Sequence, residues 1–164
     1  MIYLFVSFLL DILISNVSLT TFSNLNYIFP NILVVSFPIS FILIKNKKLY
    51  FFLIIILGLI YDTLYSDIFF INTYFFVLYS LSLYVFYKNR KVTVLNIILT
   101  SVFCFILYDL FIFFLLILLK ISNFKIDDLY YKLLHSFILN YTYILISILI
   151  LKSRIFSYKK SKIR

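Results

Sequence analysis

Three carboxylates fall inside long apolar runs of this sequence, Asp11, Asp62 and Asp109, and several carboxamides, among them Asn31, Asn72 and Asn140, lie in or at the edges of similar runs. A carboxylate at the centre of a bilayer costs about 2.5–3.5 kcal/mol on insertion scales, so each should turn away from lipid toward another helix. Asp62 follows Gly58, the only glycine, by one helical turn, which puts both on one face among Ile, Leu, Phe and Tyr. The expectation for Asp62, and equally for Asp109 and Asp11, is a buried carboxylate hydrogen-bonded to Tyr, Ser or Asn on a neighbouring helix. The alternative is a ligand or ion site. No cationic partner is clearly placed in the bilayer by the sequence. Gly58 is expected to allow close approach of a second helix, because small residues let membrane helices pack.

Other chemistries find little to work with. His135 is the single histidine and falls at an expected helix entrance, so a zinc-protease HExxH helix is excluded. One glycine cannot build a phosphate-binding loop, and no serine stands in a recognisable nucleophile motif with a base. Cys104 is the only cysteine and lies in an apolar run, which excludes an intrachain disulfide and a cysteine metal cluster. No catalytic residue, metal or cofactor is therefore expected, and the protein is read as not an enzyme.

The elements that must position the polar groups follow from composition. With 65% hydrophobic residues and a mean hydropathy of +1.12, the chain has too little polar surface to coat a soluble globule. The fold class expected is all-α integral membrane. At about 20 apolar residues per span, the sequence divides into six transmembrane helices at about 2–19, 28–44, 49–65, 68–87, 92–119 and 136–151. They form a single membrane domain over 1–164, with a basic tail at 152–164. The first run has neither a basic n-region nor a small-residue cleavage site and is read as a retained span. Pro30 and Asn31 open the second span, proline being suited to a first helical turn, and Pro38 should kink it. Ser66 and Asp67 make a tight hairpin, and Lys120 to His135 is the only sizeable loop.

The net charge of +9 sits at the ends of the apolar runs, where it signals topology rather than nucleic-acid binding. Loop parity puts twelve Lys and Arg on one side, in Lys45–Lys48, Lys88–Lys91 and Lys152–Arg164, against Lys120, Lys125 and Lys132 on the other. The positive-inside rule then puts both termini in the cytoplasm. Polar residues recur at helical spacing in three stripes, Ser7/Asp11/Ser15/Ser18, Asn96/Thr100/Cys104/Tyr108 and Ser136/Asn140/Tyr143/Ser147. By depth the intramembrane polar groups are biased toward the outer leaflet, and several are expected to converge there.

The order of these features resembles the bacterial rod shape-determining protein MreD family. Pro30-Asn31 opens the second span, a basic turn follows at Lys45 to Lys48, then come the G-x-x-x-D spacing of Gly58 and Asp62, a short hairpin and a polar residue near Asn72. Size, span number and basic C-terminus agree over nearly the whole chain. Such proteins often carry a glycine around Ile71, which this chain lacks. The resemblance implies a multi-pass protein of the bacterial cytoplasmic membrane, a non-catalytic scaffold of the cell-wall elongation machinery. Its implied partners are MreC in the membrane and, through the complex, MreB, RodA and the elongation transpeptidase, with no small-molecule ligand. The implied fold is similar to the substrate-binding S components of energy-coupling factor transporters. The alternative function is such an S component in vitamin uptake, with a pocket built from Asp62, Asn72, Asp109 and Asn140. A third reading is a proton-coupled carrier acting through Asp11.

Overall fold

The computed structural model describes residues 1–21, 30–65, 70–88, 92–119 and 126–161. Six helices and no strands occur among them: α1 (Ile2–Thr21), α2 (Ile32–Leu43), α3 (Lys47–Tyr65), α4 (Ile71–Lys88), α5 (Val94–Leu118) and α6 (Ile126–Ser161). The expected turns at residues 22–29, Ser66–Asp67 and 120–125 lie outside the described residues.

The organising element is α2. Its apolar residues follow no amphipathic period, a pattern that either lipid or protein interior can surround. Every residue from Ile32 to Ile42 is buried. The other five helices all pack against it, α3 and α4 pair along their lengths, and α5 lies against α6. Pro38 falls within α2 without ending it. At about 1.5 Å per residue, twelve residues make about 18 Å, well short of a hydrocarbon core of about 30 Å. The second expected span is thus a short helix sheathed in protein. Pro30 precedes Asn31, the residue that caps the helix, and so stands outside the first turn where the sequence reading put it.

The sequence reading also began the last helix too late. Residues 126–135, expected to be loop, form the first turns of α6. Asp127 there complements the positive end of the helix dipole. Lys132, Ser136 and Asn140 then follow at four-residue intervals, which keeps the polar groups on one face. A fall in hydropathy had marked the segment as loop, although its periodicity is helical.

The surface is inverted relative to a soluble protein. Phe5, Leu13, Phe52, Leu81, Val85, Leu99, Phe103, Ile146 and Leu149 are exposed, while Ser7, Asp11, Asn31, Asp62, Asn72, Ser101, Asp109 and Asn140 are buried. Apolar surface on this scale belongs against lipid. Among the described residues three helical segments, Lys47–Tyr65, Val94–Leu118 and Leu129–Lys152, are long and apolar enough to cross a membrane. The chain is a membrane protein of helical type.

Candidate functional site

Helix α2 begins inside the protein, where water cannot satisfy its first N–H groups, and α4 begins at its edge, with Asn72 buried and Phe70 exposed. Each is capped by an aspartate from the helix before it. At α2, the Ile32 amide donates to Asp11 Oδ1 of α1 at 2.7 Å. The Asn31 amide donates to Asn140 Oδ1 of α6 at 3.1 Å, and Asn31 Nδ2 donates to Asp109 Oδ1 of α5 at 3.2 Å. Lys132 of α6 closes the cluster with an ion pair to the same Asp109 oxygen at 2.9 Å. The Asn31 side chain makes no cap bond to its own helix, being used to reach α5. Four helices thus meet at one helix N-terminus.

At α4, Asp62 of α3 accepts from the Asn72 amide at 2.8 Å and from the Thr73 amide at 3.1 Å, with the Thr73 hydroxyl at 2.6 Å. Those two amides are the ones an N-cap side chain ordinarily serves. The residue at the cap position itself is Phe70, which cannot cap and which adopts φ 72°, in the left-handed region. The glycine missing from the resemblance around Ile71 is therefore missing next to the position whose backbone would favour it. Asp62 reaches α4 because Gly58 lets the helices touch: a Cβ added to Gly58 would lie 2.7 Å from the Thr73 Cα. The same face of α3 carries Leu57 and Tyr61 into the core.

A tyrosine ties the second cap to the helix that carries Asp109. Tyr108 of α5 donates to Asn72 Oδ1 at 2.7 Å, and its neighbour in sequence is Asp109. Measured along their own helices from the lysine-rich end of the bundle, Asn31, Asp62, Asn72 and Asp109 lie 12 to 16 residues in. That is about 18–24 Å, so they occupy one layer. Of the eight residues singled out by sequence, Asp11, Asn31, Asp109 and Asn140 join in one cluster. Asp62, Asn72 and Gly58 build the second, and Pro30 is buried directly before the first.

Lys132 was missed. The sequence reading found no cationic partner because it placed Lys132 in a loop; its spacing of four and eight residues before Ser136 and Asn140 was the available signal. Thr73 and Tyr108 were also missed as partners of Asp62 and Asn72. His135 is exposed on α6, its Nδ1 2.8 Å from the Tyr131 carbonyl oxygen, away from both clusters.

Chemically the layer is a set of bonds that fasten helices. Three of its buried atoms nevertheless have no hydrogen-bond partner: Asp11 Oδ2, Asp109 Oδ2 and Asn140 Nδ2. All three belong to the α2 cluster, which therefore retains both accepting and donating capacity. Among the described residues no group of three or more His, Cys, Asp or Glu is placed to hold a metal ion.

No family model, curated protein or solved structure matches the chain.

Proposed function

We propose that this protein is a non-catalytic scaffold of the bacterial cell-wall elongation machinery, of the MreD type. It crosses the cytoplasmic membrane six times with both termini inside, and it holds MreC and, through the complex, MreB, RodA and the transpeptidase. The observation that carries the reading is the use made of the resemblance residues. Asn31, Gly58, Asp62 and Asn72 all serve to lock helix ends together. A scaffold needs that rigidity, because a membrane partner is held by packing and a few hydrogen bonds against a fixed surface. The exposed rows of Phe, Leu and Ile on α3, α4 and α5 offer such a surface to another transmembrane helix.

Two experiments test it. Depletion in a rod-shaped host should widen the cells and displace new wall synthesis, and MreC should co-purify with the protein. Unchanged width together with no co-purification would refute the scaffold. Cysteines introduced at Lys125 and Lys159 should be labelled from opposite sides of the membrane, and labelling from one side alone would overturn the six-span threading.

A second reading is favoured by one feature, the unpartnered Asp11, Asp109 and Asn140 atoms. In an S component of a vitamin transporter these would face a polar ligand, and the purified protein would carry or tightly bind a vitamin. Absence of any such binding, with MreC retained, separates the two.

A further inference from the structure

The lysine-rich end of the bundle holds a feature that the scaffold reading does not use. Where α2 and α4 end and α3 begins, a cavity of about 270 Å³ is lined by Phe41, Ile42, Lys47, Tyr84, Tyr87, Lys88 and Val92. The lining carries two lysines and no acidic residue. Lys47 is held in place: it donates to the Phe41 and Ile44 carbonyl oxygens at the C-terminus of α2 and lies 3.8 Å from the centroid of the Phe41 ring. Lys88, in the last turn of α4, is exposed and enters no ion pair among the described residues. Both lysines complement the negative ends of helix dipoles, which accounts for their presence at these ends. It does not account for the open space between them.

We infer that this cavity binds an anionic phosphate group, supplied by the headgroup of an acidic phospholipid. Lys47 contributes a positive charge held at the C-terminus of α2 and Lys88 an exposed one. The Tyr84 ring lies half exposed at the rim, while Tyr87 is already engaged with Thr100 and forms a closed wall. At about 270 Å³ the space is smaller than the ~300–1,000 Å³ that enclose drug-sized molecules, so it suits a headgroup rather than a whole soluble metabolite. Phe41, Ile42 and Val92 give it an apolar side, where the first carbons beyond the phosphate would lie. Basic pockets between membrane helices at the headgroup level select anionic lipids for this reason.

The test is native mass spectrometry of the intact protein, released from detergent in the presence of phosphatidylglycerol or phosphatidylcholine. Phosphatidylglycerol should be retained in preference. Lys88→Gln should lower that retention about fivefold, the effect of one lysine near an anionic headgroup. Lys45→Gln, exposed at the same end but outside the lining, should leave it within about twofold. Protection of the Cys104 thiol checks that each variant is folded. Equal retention of the two lipids, or equal losses from Lys88→Gln and Lys45→Gln, would overturn the proposal. An arm with millimolar inorganic phosphate distinguishes the source: retention unaffected by phosphate supports the headgroup, and full displacement overturns it.

Discussion

Replacing Gly58 by alanine should destabilise this protein, although alanine is the better helix former. The substitution gains about 1 kcal/mol of intrinsic helix propensity. Against it stands the Thr73 Cα, 2.7 Å from where the new methyl must sit. Carbon atoms pack at about 3.5–4.0 Å, so α3 and α4 must part by about 1 Å at this level. The nearest atom is backbone, and no rotamer change relieves it. One turn further on, Asp62 holds α4 through bonds of 2.8, 3.1 and 2.6 Å. A full displacement would stretch them to about 3.6–4.1 Å, beyond effective hydrogen bonding. If the hairpin tilts so that only one breaks, the loss is about 1.5–3 kcal/mol for a bond to a charged group. Overpacking adds about 1–3 kcal/mol. The net cost is about 1.5–5 kcal/mol after the propensity gain.

Cys104 supplies the assay. It is the only cysteine and is buried, its Sγ 3.4 Å from the Val34 carbonyl oxygen, so a thiol reagent reaches it only when the bundle opens. The labelling rate of the purified variant in detergent should rise at least about twelvefold, the population change that about 1.5 kcal/mol produces. Thr73→Ala added to Gly58→Ala should not restore protection, since it leaves the offending Cα and removes the hydroxyl bonded to Asp62. A labelling rate equal to or below that of the wild type would refute the close contact and the capping geometry that depends on it.

Asp62→Leu should cost about 2–4 kcal/mol by leaving a buried and a part-buried amide of α4 unserved, measured as a shift in thermal unfolding; a change under about 0.5 kcal/mol, typical of surface substitutions, would show the cap to be dispensable. Lys132→Met should destabilise by about 3–5 kcal/mol because it strands a fully buried Asp109. Asp109→Asn should cost less, since Lys132 is 24% exposed and can reach water. Reversal of that order in a double-mutant cycle would refute the assignment of Asp109 as the dependent partner. Phe70→Gly should stabilise by about 0.5–1 kcal/mol, as relief of a left-handed phenylalanine exceeds the added entropy of the unfolded chain. Equal or lower stability on the same thermal scale would mean that the Phe70 ring, 62% exposed, contributes more than its backbone costs.

By itself the sequence determined that this chain lives among lipids and that its polar residues look inward. Both follow from composition and helical period, which are local: no arrangement of so many Ile, Leu and Phe can be coated by so few polar groups, and Ser7/Asp11 or Asn140/Ser147 share a face in any helix. The same local reasoning found Gly58 as a point of close approach. What it could not supply was the partner of each group. Asp11 meets Ile32, 21 residues away, Asn31 meets Asp109, 78 away, and Asn140 meets Asn31, 109 away. Such pairs exist only once the helices are stacked. Tertiary packing also decided that α2 is enclosed by protein although it reads like any lipid-facing span, because hydrophobicity has no direction and lipid and protein interior satisfy it alike. Lys132 shows the converse: a charge that reads as loop lies on a helix that brings it to 2.9 Å from a buried carboxylate of another.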